Sequence, residues 1–187
     1  MIFKFFSYTL IFLFFLSCTN KKVDYYFLDK DESADIGYPY GSIIYKSSKK
    51  NYFENILIYS DIKQVQFGQK YIIVNQHPNK ELMLKKMEDD LNIWSNYYSE
   101  NKKDSIVNLS FSKMSLKEIF KLGEANNKKF SKVADSILLN DRFNKIIFSN
   151  KENYYIIDKE KDKIYGPLTF SEFRKLKTNL KITLDFK

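Results

Sequence analysis

An uncharged, mostly apolar run from Phe5 to Ser17 ends at Cys18, the only cysteine of the chain. As a helix this 13-residue run would reach about 20 Å at 1.5 Å per residue. That falls short of the roughly 30 Å of a bilayer's hydrocarbon core. Lys21 and Lys22 follow at once, so no further apolar residues lengthen it. The run is therefore set apart from whatever folds behind it. One cysteine closes no internal disulfide, so the rest of the 187-residue chain must fold on its own hydrophobic core. A segment of about 170 residues suffices, because a domain of that size buries close to 70% of its unfolded surface.

Lys4 gives the leader one positive charge, and small or short residues follow the apolar run. That is the layout of a secretory signal peptide over residues 1–17. Its last residues, Phe15-Leu16-Ser17-Cys18, resemble the lipobox of bacterial lipoproteins, with phenylalanine where the family usually has an aliphatic residue. The resemblance implies cleavage before Cys18 and fatty acylation of Cys18. It also implies residence outside the cytoplasm. Thr19 rather than aspartate follows the cysteine, which in that family favours the periplasmic face of an outer membrane; in a Gram-positive cell the outer leaflet would hold it instead. One acyl chain anchors marginally and two or three anchor stably, since each buried CH₂ contributes about 0.8 kcal/mol. Residues 18–24 then read as a polar tether and 25–187 as a single domain.

The hydropathy pattern of that domain predicts strands at Tyr25–Leu28, Gly41–Lys46 and Asn55–Tyr59. A hairpin is expected from Ile62–Phe67 and Tyr71–Gln76 across Gly68-Gln69, with the continuous run from Tyr71 to Val74 as a strand covered on both faces. Asp29 to Tyr40 reads as polar turn structure. Leu84, Met87, Leu91, Trp94 and Tyr98 mark one stripe of a helix from Glu81, capped by Asn79, with Glu81 and Lys85 as an i,i+4 pair. Ile106–Phe111 reads as a strand. Ser115-x-x-Glu118 opens a short helix that Gly123 would close. Phe130, Val133, Ala134, Ile137 and Leu138 mark a further helix, with a continuation past Asn140 to Ile147 as the longer of two readings. Tyr154–Asp158 and Lys163–Tyr165 form a hairpin that Gly166-Pro167 would end. Thr169-x-x-Glu172, flanked by Leu168 and Phe173, caps a last helix, and Leu180, Ile182, Leu184 and Phe186 alternate as a terminal strand. Strands and helices are grouped rather than alternating. The expected class is α+β, a mostly antiparallel sheet with three to four helices. From about residue 40 to 185, and most clearly in Tyr154–Lys159, Lys163–Leu168 and the capped helix, the chain loosely resembles small uncharacterised exported bacterial proteins. That resemblance implies a fold and no chemistry.

The catalytic inventory is thin. His77 is the only histidine and reads as an exposed loop residue. A nucleophile–histidine triad has no second histidine to draw on, and no set of His and Cys ligands exists for a transition metal. Asp29, Asp31, Ser33 and Asp35 have the alternation of a calcium loop, but Ala34 and Tyr40 stand where that loop needs glycine and glutamate. No cofactor is expected. Glu88, Asp89 and Asp90 are consecutive, about 100° apart on a helix, and read as a solvated face. The early tyrosines, Tyr25, Tyr26, Tyr38, Tyr40 and Tyr45, read as core and strand faces, with stacking on a sugar or partner as the alternative. The net charge is +8, and +7 without Lys4, yet only Arg142 and Arg174 are arginine and the lysines are dispersed among acids. Nucleic-acid readers cluster their charge and favour arginine, so none is expected as a partner. The reading is a membrane-anchored envelope lipoprotein, a non-enzymatic binding or inhibitory module for an envelope protein or glycan, with Cys18 as lipidation site. The alternative is a carboxylate-based hydrolase or glycan-processing enzyme of the envelope.

Overall fold

A computed structural model describes residues 23–109, 112–140 and 142–187. The apolar leader, Cys18 and the tether up to Lys22 lie outside the described residues, as does Phe111. Within them the fold is α+β, with nine strands in three antiparallel sheets and six helices in one compact domain.

Strands β1 (Asp24–Leu28), β2 (Ile43–Ser47) and β3 (Asn55–Ile58) form a three-stranded sheet in that order. Between β1 and β2 the chain makes helix α1 (Lys30–Asp35), where polar turn structure was expected. The cause is local: the Asp29 carboxylate accepts the Glu32 N–H at 2.7 Å, and Asp31 and Glu32 sit in the first turn, where the helix dipole favours negative charge. The same alternating acids that suggest a calcium loop are thus a capped helix.

The second sheet contains β4 (Ile62–Phe67), β5 (Tyr71–Gln76), β8 (Asn153–Asp158) and β9 (Lys163–Leu168), ordered β4-β5-β8-β9. It is the middle layer. Ile72 and Val74 of β5 and Tyr155 and Ile157 of β8 point to one face and pack on Ile44 and Ile58 of the first sheet. Ile73 and Ile156 point to the other, under Phe173 of helix α6 (Phe170–Asn179) and Ile182 of the C-terminal segment. Being covered on both faces is what makes β5 read as an unbroken apolar run.

Two sequence expectations fail here. Gly166-Pro167 does not end the last hairpin, because β9 runs on to Leu168. It is an edge strand, where proline forfeits no ladder hydrogen bond, and the register shifts between Tyr154 and Ile156 opposite it. Gly166 has φ +135°, and a Cβ there would lie 2.5 Å from Cδ1 of Tyr155 and 2.7 Å from the Tyr154 carbonyl oxygen. Nor is residue 180–186 a strand: it pairs with no sheet, although Ile182 is buried and Leu184 and Phe186 pack on the core while Lys181, Thr183 and Asp185 face water. Alternation reports which side is buried and is silent on whether a neighbouring strand exists.

The remaining helices form a cluster of their own beside the three-stranded sheet. Helix α2 (Lys80–Asn101) starts at Asn79, whose Oδ1 accepts the Leu82 N–H at 3.1 Å. It packs on the two-stranded hairpin β6 (Ile106–Leu109) and β7 (Ser112–Ser115) and on helices α3 (Leu116–Ala125) and α4 (Ser131–Asn140). Helix α5 (Arg142–Ser149) follows, so the stretch from Phe130 to Ile147 is two helices rather than one. With α1 this brings the helices to six among the described residues instead of three to four. The most deeply buried positions of α2 are Met83, Met87, Leu91 and Ser95 at steps of four. Leu84 and Trp94 flank them, half-buried. The i,i+4 ion pair found on this helix joins Lys86 to Asp90. Ser115 Oγ caps α3 by accepting the Glu118 N–H. Gly123 does not close that helix but lies inside it, where a Cβ would stand 2.7 Å from Cζ of the buried Phe130 ring and 3.1 Å from Ser95 Oγ. The helices approach closely there because position 123 has no side chain.

Candidate functional site

Where the three-stranded sheet faces the helical cluster, a groove of about 710 Å³ opens. Its first wall is the segment around β3, with Phe53, Asn55, Ile56 and Tyr59; β3 is the edge of its sheet. Its floor is α2, which presents Lys86, Asp90 and Trp94. These positions, spaced i, i+4 and i+8, share one helix face. The opposite wall is the β6–β7 hairpin, with Asn108 and Leu109 on one strand and Ser112 and Lys113 on the other.

The floor is rigid and internally ordered. Lys86 Nζ lies 2.6 Å from Asp90 Oδ1, and both side chains are largely shielded from solvent, 15% and 16% exposed. The same ammonium sits 5.2 Å from the centroid of the Tyr40 ring, a cation–π contact that fixes it from the other side. The Tyr40 hydroxyl in turn donates to Asp89 Oδ2 at 2.7 Å. Burial, then this hydrogen bond and the charges of Asp89 and Asp90, push the Tyr40 phenol's pKa well above its ordinary value. Behind it Tyr38 is 8% exposed, and its phenol is pushed up chiefly by burial, then by Tyr59, Asp90 and Tyr40. Both phenols are therefore donors rather than phenolates at physiological pH. Tyr38 packs edge-on against Tyr40, with ring centroids 5.1 Å apart, and on Phe53 at 4.8 Å.

A second, smaller cleft of about 380 Å³ lies between α1 and the start of α2. Asp61 lines it, with one carboxylate oxygen hydrogen-bonded and the other buried without a hydrogen-bond partner among the described residues. Oδ2 accepts from Asn79 Nδ2 at 3.1 Å, and Oδ1 is covered where Gly41 passes so close that a Cβ would stand 2.4 Å away. His77 is exposed, as expected, and its backbone exchanges two hydrogen bonds with Asp61, at 2.8 and 2.9 Å. Among the described residues no group of three or more His, Cys, Asp or Glu side chains is placed to hold a metal ion. None of the described helices is long and apolar enough to cross a membrane.

Of the residues singled out in the sequence, the structure brings Asp90, Trp94 and, just behind them, Tyr38, Tyr40 and Asp89 to one place. Tyr25 lies elsewhere: its hydroxyl donates to Asp162 Oδ1 at 2.7 Å, and Lys46 Nζ sits 2.6 Å from Asp162 Oδ2. This ties β1 and β2 to the turn between β8 and β9 and holds the Asp162 carboxyl below its usual range, first through Lys46 and then through Tyr25. Sequence reading missed Lys86 as part of a site, and missed Asn108 and Lys113 altogether. The one available signal was the row Lys86–Asp90–Trp94, which mixes a cation, an anion and the chain's only tryptophan on one helix face.

The family model described as "Protein of unknown function (DUF3997)" matches residues 125–187. That is about a third of the chain, from the end of α3 to the C-terminus, and it leaves the groove outside the match. No curated protein and no solved structure matches the chain.

Proposed function

We propose that the chain is a lipid-anchored envelope protein, held at the periplasmic face of an outer membrane by acyl chains on Cys18, and that its folded part is a binding module. The observation that carries the second half is the groove. Its floor is built on a long helix, and the Lys86 and Asp90 charges there are oriented by each other and by Tyr40. A tether of some six residues spans at most roughly 20 Å, so the groove would work close to the membrane, on an envelope component within reach.

The carboxylate-hydrolase alternative calls for an acid whose proton affinity is raised beside one that stays ionised. The carboxylates with a resolved shift are Glu152, Asp162 and Glu172, and each is pulled down by a partner: Lys63 and Tyr154, Lys46 and Tyr25, and Thr169 respectively. Those three are structural anions. The binding reading rests on the groove itself.

Two measurements test it. The mass of the mature N-terminal peptide, with Cys18→Ala as control, is expected to show an acylated Cys18 as residue 1. A photoreactive amino acid placed at Lys113 on the groove wall is expected to capture an envelope component in living cells, while the same group at Lys175 on α6 captures nothing specific. Equal capture from both positions would refute the groove as the binding surface.

A further inference from the structure

We propose that the ligand of this groove is a linear, uncharged oligosaccharide. The inference rests on the groove being the binding surface and concerns what it binds. Three features of the lining select the chemistry.

The first is which groups are available to a ligand. The backbone of α2 is hydrogen-bonded within the helix, and the backbones of β6 and β7 pair with one another from Ile106↔Ser115 to Leu109↔Ser112. The floor can thus offer side chains only, while the hairpin wall adds the outward-facing backbone groups of its two edge strands. The polar side chains of the lining are the amides of Asn55 and Asn108, the Ser112 hydroxyl, the Lys86–Asp90 pair, Glu54 beside β3 and Lys113 on the hairpin. Donors and acceptors alternate over a short distance, which matches the rim of a sugar ring, where each hydroxyl both donates and accepts.

The second is the aromatic share. Trp94 on the floor and Tyr59 on the first wall stand among these polar groups. A pyranose has polar edges and apolar C–H faces, and aromatic side chains with polar neighbours are suited to such two-sided ligands.

The third is the charge balance. Lys86 is matched by Asp90 and further held by the Tyr40 ring, and Lys113 is balanced in number by Glu54, so the lining as a whole presents no net charge to a polyanion or polycation. It is equally unsuited to a lipid chain. Covering a half-buried ion pair with hydrocarbon strips its remaining water, at a cost of several kcal/mol per ion. A sugar keeps that pair hydrogen-bonded while displacing its water.

Trp94 is the chain's only tryptophan, so its emission reports on this groove and nowhere else. The test titrates the detergent-solubilised full chain with three neutral linear hexasaccharides: β-1,4-linked N-acetylglucosamine, cellohexaose and maltohexaose. The expected result is a saturable change in Trp94 emission with at least one of them. Asp90→Asn and Asn108→Ala should each weaken it by about tenfold, the scale of one or two lost hydrogen bonds, whereas Lys175→Ala leaves it unchanged. Circular dichroism checks that each variant is folded, and the two groove variants act independently should one fail to fold. Saturable binding that neither groove variant weakens would overturn the proposal. So would no saturable change with any of the three sugars. In that second case, specific capture from position 113 in cells would show the groove to be a binding surface for another chemical class, and loss of that capture as well would remove the groove reading itself.

Discussion

Two buried tyrosines of one cluster should respond in opposite directions to the same deletion. Tyr38 and Tyr45 both pack on Phe53, with ring centroids at 4.8 and 5.0 Å. The Tyr38 hydroxyl is buried and has no hydrogen-bond partner among the described residues. The Tyr45 hydroxyl accepts the Asn51 N–H at 2.9 Å, at a residue held in the left-handed region with φ 63°. Phenylalanine keeps each ring and removes only the oxygen. For Tyr38 the folded protein then no longer strands a desolvated hydroxyl, a penalty of about 1–3 kcal/mol. Tyr38→Phe should therefore stabilise the protein, by about 1 kcal/mol if half of that penalty is recovered. For Tyr45 an existing bond is lost, so Tyr45→Phe should destabilise by about 0.5–1.5 kcal/mol.

Urea denaturation followed by circular dichroism separates the two. The midpoint should rise for Tyr38→Phe and fall for Tyr45→Phe, both at unchanged slope, since neither alters the surface exposed on unfolding. In melting temperature the expected displacement is about 2–4 °C per kcal/mol for a domain of this size. A loss of stability in Tyr38→Phe equal to that in Tyr45→Phe would refute the reasoning, because it would mean that the Tyr38 hydroxyl is hydrogen-bonded in solution.

Other substitutions follow from the same close contacts and charges. Gly123→Ala would raise helix propensity at an ordinary site, but here the added methyl meets the locked Phe130 ring, so a net loss of about 1–3 kcal/mol is expected by urea titration. Gly166→Ala should be worse, above about 3 kcal/mol, because the obstacles include a backbone oxygen and φ is +135°. High pH should unfold the protein. The Tyr38 and Tyr155 phenols are held above their unfolded value of about 10, so their contribution is complete below pH 10 and declines as pH climbs toward the folded values. A pH titration of stability would show a flat profile there if burial did not hold these phenols neutral. Asp162 runs the other way. Its folded value is lowered, so its contribution is present above about pH 3.9 and lost as pH falls through the lowered value. Asp162→Asn should flatten that acid limb at a cost below about 1 kcal/mol at neutral pH, since the carboxylate is 64% exposed.

The fold was legible in the sequence where one local cause decides the outcome. Asn79, Ser115 and Thr169 each cap the helix that their side chain predicts. The run Tyr71–Val74 announced a strand covered on both faces, and β5 is one. The failures occur where a distant partner decides. Gly123 and Gly166 have the look of breakers, yet each is small because an aromatic ring from elsewhere, Phe130 or Tyr155, occupies the space its side chain would need. Residues 180–186 alternate as a strand does, but the chain lays them across the face of the middle sheet instead of along its edge, and alternation is the same in both positions.

The groove was illegible for a related reason. It joins residues from Phe53 to Lys113 that lie on and around four separate elements, and nothing local marks Asn55 and Asn108 as lying on opposite walls of one groove. Trp94 illustrates the ambiguity best. Its position in the stripe Leu84, Met87, Leu91, Trp94 says that it meets the core, and it does, packing against the helical cluster. The helix, however, is wedged between that cluster and the three-stranded sheet, so a side chain at the border of its apolar stripe serves both. The same border position carries Lys86 and Asp90, which periodicity assigns to solvent and the fold turns into the floor of a cleft. On a helix with core on one side and a groove on the next, residues at the margin of the stripe are where sequence periodicity loses its meaning, and those are the residues that a ligand would touch.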